Sequence, residues 1–209
     1  MSFVAIHRQE LIDWDVAGRP LAGEPVSGDL HLVKCLDAGV LLAVVDGIGH
    51  GDEAIAAARK AVAILEASPG KSIVALVKQC HEALLKTRGV VMTLASLNAL
   101  ENTVTWLGVG NVEGRLLRPD DRGNHSSESV LLRSGLVGYQ LPELQTSVVP
   151  VAPGDLLIFA TDGVRPGFAE GINVSEAPGP LATGILSEHF KGTDDALVLV
   201  ARYLGMRHE

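Results

Sequence analysis

Three apolar runs in this chain each meet an aspartate at one end. VLLAVVD closes on Asp46, IFATD closes on Asp162, and DDALVLV opens on Asp194 and Asp195. Such runs, rich in valine, leucine and isoleucine, read as strands buried on both faces. A carboxylate at the rim of a buried strand is costly to desolvate unless it is paired, and no comparable set of lysines or arginines accompanies these segments. Divalent cations would satisfy the charge. Oxygen donors without a His/Cys cluster at zinc spacing select hard ions, Mg2+ or Mn2+. Gly47 and Gly163 directly follow two of the aspartates. There the backbone can turn sharply, present a carbonyl or leave room for a substrate.

Two plainer readings compete. Asp-Gly is the commonest turn dipeptide, although three acidic strand ends together exceed what turns require. Residues 46–51, DGIGHG, could also be the aspartate-glycine box of a nucleotide-binding fold. That box wants glycines where Ile48 and His50 stand, and no GxxxxGK[ST] loop occurs.

The rest of the composition narrows the function classes. Hydrophobic residues make up 47% against 20% charged, which excludes disorder for the whole chain. No apolar run reaches the ~20 residues of a membrane span. The net charge of −8 argues against counterion-release binding to nucleic acid. The first residues lack a basic segment followed by an apolar stretch, and there are two cysteines, Cys35 and Cys80, so a reducing cytoplasm is expected. A length of 209 residues suits one domain, residues 1–209, and is too short for a sensor module plus an enzyme.

Along the chain, Val33 to Val45 reads as a hairpin about Asp37-Ala38-Gly39. Helical spacing follows over Asp52 to Glu66, with two acidic residues opening it, and over Lys71 to Lys86, which makes Cys80 a core thiol. Six β-like runs come next: Val90 to Ala99, Thr103 to Val109, Glu113 to Leu117, Val130 to Arg133, Gln145 to Val149 and Leu156 to Ala160. They read as an antiparallel meander. The polar stretch Pro119 to Ser129 reads as a mobile loop with His125 in solvent, and Arg165 to Pro180 as a flap beside Asp162. A helix at Leu181 to Phe190 and a strand at Ala196 to Tyr203 complete an order that suggests two packed sheets flanked by helices.

At this point a resemblance emerges. Ser27-Gly28-Asp29, Asp46-Gly47-Ile48-Gly49-His50-Gly51, Gly154-Asp155-Leu156-Leu157 running into Thr161-Asp162-Gly163-Val164, and Asp194-Asp195 follow in order over about residues 23 to 203. The series resembles the PPM-type metal-dependent serine/threonine protein phosphatases, and within them the SpoIIE-like branch. Thr93, Gly108-Val109-Gly110-Asn111 and Ser134-Gly135-Leu136-Val137-Gly138 are similar to that branch too.

The resemblance implies an α+β fold, a four-layer α/β/β/α sandwich of two antiparallel sheets, with a two-ion Mn2+ or Mg2+ centre at one end. It implies that Asp46 bridges both ions, that the Gly47 carbonyl completes one, and that Asp162 and Asp194 hold the other, with Asp195 as the alternative to Asp194. Asp29 is implied in a supporting position or at a third ion. Two such cations acidify a shared water for in-line attack on phosphorus and neutralise the phosphoryl oxygens. The implied substrates are phosphorylated STAS-domain scaffold proteins of a bacterial stressosome, whose dephosphorylation resets a stress pathway. A catalytically silent relative that binds a phosphorylated regulator is the rival, and it would be expected to have lost one of the aspartates.

Departures from the family pattern are specific. His50 stands further from Asp46 than the candidate general acid of eukaryotic members, and reads as structural or as positioning a helix start. Leu197 occupies a place where the family often has threonine. The phosphate-binding arginine of eukaryotic members has no clear counterpart, Arg8 and Arg19 being candidates by location alone.

Overall fold

A strand buried on both faces needs cover on both, and this chain supplies it with paired sheets and outer helices. The structure, a computed structural model, describes residues 11–49, 51–120 and 125–206. In chain order the elements are β1 (Ile12–Arg19), β2 (Asp29–Leu36), β3 (Gly39–Gly47), α1 (Asp52–Ala67), α2 (Ile73–Leu84), β4 (Val90–Asn98), β5 (Thr103–Val109), β6 (Glu113–Pro119), β7 (His125–Ser129), β8 (Leu132–Arg133), β9 (Ser147–Pro150), β10 (Leu156–Ala160), α3 (Pro178–His189) and β11 (Ala196–Tyr203). One sheet runs β1-β11-β10-β6-β7 and the other β2-β3-β4-β5-β8, with β9 also paired to β5. Apart from the short parallel pair β5 and β8, neighbouring strands are antiparallel.

Side-chain alternation explains the layers. In β3, Val40, Leu42 and Val44 enter the core between the sheets, while Leu41, Ala43 and Val45 meet α1 and α2. In β11, Leu197, Leu199, Ala201 and Tyr203 face the other sheet, and Ala196, Val198 and Val200 face α3. The result is the expected α/β/β/α sandwich. Among the described residues no helix is long and apolar enough to cross a membrane.

Cys80 is fully buried against Ala61, and burial pushes its thiol up to about 12, as a core thiol requires. Ser72 caps α2, its side chain accepting from the Ala75 N–H.

Several expectations need correction. The six middle runs do not form a meander: β4 and β5 lie in one sheet, β6 crosses to the other, β8 and β9 return, and β10 crosses again. Local alternation is the same for a hairpin and for a crossing, so it cannot choose between them. Pro119 to Ser129 is not wholly loop, because His125–Ser129 pairs with β6 as an edge strand whose polar residues hide its periodicity. His125 is half-buried, its Nε2 donating to the Ala169 carbonyl at 3.1 Å. Arg165 to Pro180 is anchored rather than a free flap: Phe168 and Val174 are buried against α3, and Pro178 to Pro180 are helical, with Pro178 opening the helix. β1 escaped the sequence reading because its first residue alone is fully buried.

Phe159 fills the space between the sheets with no exposure. Phe159→Ala should cost about 3–5 kcal/mol, read as a fall in the urea midpoint, whereas Tyr139→Ala, at a residue 79% exposed, should leave the midpoint in place.

Candidate metal centre

The sheet register brings the acidic strand ends together. Asp29, the first residue of β2, pairs with Asp46 near the end of β3. Asp162 follows β10, and Asp194 and Asp195 precede β11, the antiparallel neighbour of β10. Thr161 joins the two groups across the sandwich. Its hydroxyl donates to Asp29 Oδ2 at 2.8 Å and accepts from the Leu197 N–H at 2.8 Å.

Asp46, Asp162 and Asp194 line one cavity of about 390 Å³, together with Asn111, Ser134 and the glycines 49, 110 and 135. Asn111 Nδ2 donates to Asp162 Oδ2 at 2.8 Å, and Lys191 Nζ donates to the Asp162 carbonyl at 2.5 Å. Asp195 is used differently. Its two oxygens accept the N–H groups of Leu21 at 2.7 Å and Gly28 at 2.6 Å, so it braces residues 20–28 from a buried position. The adjacent aspartates thus separate into one that faces the cavity and one that holds the loop.

Gly47 and Gly163 serve close packing rather than a sharp turn, since neither has a positive φ. A Cβ on Gly47 would run into the Ala54 carbonyl, and one on Gly163 into the Asp195 carbonyl. Backbone segments can meet this tightly around the cavity only where side chains are absent.

The carboxylates raise one another's proton affinity. Burial, and then the charges of Asp29, Asp162, Asp194 and Asp195, push Asp46 up to about 9. Burial pushes Asp29 up to about 7, with the Thr161 hydrogen bond opposing and Asp195, Asp162 and Asp194 adding to the rise. Like charge is therefore crowded at this end of the sandwich.

Among the described residues, no three His, Cys, Asp or Glu side chains close into a ready-made metal cage. The donor set still suits a hard dication, because Mg2+ usually keeps several waters and takes only one or two carboxylates. The open cavity has room for those waters.

Other sequence candidates stand apart. Arg19 stacks over the Phe190 ring at 4.9 Å. Arg8 and His50 lie outside the described residues. Asn111 and Thr161 belong to quoted motifs but had no assigned role. Their signal was a polar side chain within two residues of the end of a strand, which does not reveal its partner.

Residues 37–203 match the model of the family described as Stage II sporulation protein E (SpoIIE). The chain is 24% identical over 143 residues to phosphoserine phosphatase RsbX of Bacillus subtilis (strain 168), covering 68% of this chain and 70% of that protein. Among solved structures, a chain from "The bacterial stressosome: a modular system that has been adapted to control secondary messenger signaling" is 30% identical, with TM-score 0.82, over 92% of this chain and all of that one. RsbX in complex with magnesium superposes with TM-score 0.79 at 21% identity, over 92% of this chain and 95% of that one.

A group whose folded pKa is raised contributes stability fully present below its unfolded pKa, which is lost as pH rises through the folded value. In EDTA, Tm should therefore fall as pH rises from about 4 to 9, the span between the ordinary carboxylate value and the raised one of Asp46. Asp46→Asn should flatten that fall and raise Tm at pH 8 by a few degrees, at about 2–4 °C per kcal/mol for this size. Thermal melts across the pH series check this; equal slopes for the two proteins would contradict it.

Proposed function

The chain belongs to the SpoIIE family, and from that membership we propose that it is a metal-dependent phosphoserine/phosphothreonine protein phosphatase. In this reading one phosphatase domain spans residues 1–209 and acts in the cytoplasm. Its substrates are phosphorylated STAS-domain scaffold proteins of a stressosome, and their dephosphorylation resets a stress-signalling pathway. The observation that carries the chemistry is the shared cavity of Asp46, Asp162 and Asp194, three carboxylates drawn from both sheets onto one opening. The RsbX relative and the stressosome structure support the substrate class.

Each residue has a task in this reading. Asp46, the Gly47 carbonyl, Asp162 and Asp194 would hold the metal ions. Asp194 is preferred over Asp195 because it lines the cavity, whereas Asp195 turns both oxygens to the backbone N–H groups of Leu21 and Gly28. Asp29 stands behind Asp46, its position set by the Thr161 hydroxyl. Asn111 orients the Asp162 carboxylate from one side while Lys191 grips its carbonyl from the other. Bound here, Mg2+ or Mn2+ would supply Lewis acidity and positive charge to offset the carboxylates. The open cavity admits a side chain carried on a protein surface, and the folded scaffold keeps the carboxylates in place between turnovers.

Phosphate release from an aryl phosphate should need Mn2+ or Mg2+ and stop in EDTA. Asp46→Asn and Asp162→Asn should each lower turnover by more than the about 10–100-fold typical of residues behind the ligands, without loss of Tm. Asn111→Ala should fall within that range. A phosphorylated STAS-domain protein should be turned over faster than free phosphoserine. Phosphoprotein binding without turnover, at any metal concentration, would instead favour a silent regulator.

A further inference from the structure

Among the described residues, the cavity wall carries acidic and neutral side chains only: Asp46, Asp162 and Asp194, with Asn111, Ser134, Ile48, Val91 and glycines. Among those residues, none is a cation that could fix the orientation of a phosphoryl group entering there. The nearby cations differ in how far they are committed. Lys191 Nζ donates to the Asp162 carbonyl, Arg165 Nη1 to the Glu188 carbonyl, and Arg19 stacks on Phe190.

Arg88 is placed differently. It stands at the turn between α2 and β4, where the Ile48 N–H donates to the Gly89 carbonyl at 3.2 Å and ties that turn to the cavity wall. Arg88 Nη1 lies 2.6 Å from where a Cβ of Gly49 would stand. Gly49 lines the cavity and has φ 88, so the guanidinium takes the place of a side chain on the wall residue. Its Nε donates to Glu53 Oε2 at 2.5 Å, in a pair whose side chains are 48% and 71% exposed. An exposed pair of this kind is weak and can exchange partners.

Resting on the phosphatase reading above, we propose that Arg88 is a phosphate-binding residue of this site, exchanging Glu53 for the phosphoryl oxygens when substrate or product phosphate enters. A guanidinium suits the task because its fork of N–H donors matches two phosphoryl oxygens at once, and its charge does not titrate. Glu53 on the first turn of α1 serves as a placeholder that keeps the guanidinium over Gly49 between turnovers.

Inorganic phosphate binding to the Mn2+-loaded protein, measured by calorimetry, tests this without turnover. Arg88→Ala should weaken phosphate binding about tenfold or more and raise KM for an aryl phosphate, leaving Mn2+ affinity and Tm unchanged. Arg88→Lys should recover part of the loss, since it keeps the charge but not the fork. Glu53→Ala removes the same ion pair but leaves the guanidinium, and should bind phosphate within twofold of wild type. Wild-type phosphate affinity in Arg88→Ala, or equal losses in Arg88→Ala and Glu53→Ala, would overturn the assignment while an active wild type left the phosphatase reading standing. A wild type that binds Mn2+ but neither binds phosphate nor releases it would overturn both.

Discussion

The hydroxyl of Thr161 lies between the two sheets, donating a hydrogen bond to Asp29 and accepting one from the Leu197 N–H. Asp29 starts β2 in one sheet, and Leu197 belongs to β11 in the other. A sandwich core is held by non-directional burial, which tolerates some sliding of one layer over the other. A buried, two-sided hydrogen bond fixes the register at the end where the carboxylates gather. The separation of Asp46 from Asp162 and Asp194, which come from different sheets, depends on that register.

Crowding of like charge is the cost of this arrangement. Asp29 and Asp46 face each other across β2 and β3, half-buried or buried, and burial together with the neighbouring carboxylates raises the proton affinity of both. The surrounding packing holds them in place regardless. β3 is buried on both faces, and Gly47 lets α1 close directly onto its end. Stability is thus given up at the site and recovered in the layers around it, as is usual for functional sites.

The Asp194-Asp195 pair shows two uses of one residue type. Asp195 satisfies two backbone donors of residues 20–28, a segment with little regular structure of its own. Asp194 remains on the cavity. Gly28, held by Asp195, gives its carbonyl to the Gly47 N–H. The loop brace and the end of β3 are therefore one connected piece, which links a surface segment mechanically to Asp46.

Much of the architecture was written locally. Apolar runs marked β3, β10 and β11, and helical periodicity marked α1 and α2, because each element must bury a face whose spacing its own backbone dictates. The aspartates at the run ends pointed to a shared acidic cluster for the same reason: a carboxylate beside a core has few ways to be compensated. Polar edge elements such as β1 and β7 were not legible, since half-exposed strands need no apolar alternation. Nor could local pattern say which sheet each middle strand joins, or which aspartate of a pair faces the cavity. Those choices belong to long-range register and to the few hydrogen bonds, Thr161 to Asp29 and Asp195 to Leu21 and Gly28, that span distant parts of the chain. The sequence by itself determined the layers and the acidic chemistry through short-range burial, and only the tertiary structure decided which side chains share the cavity, because that depends on partners far apart in the chain.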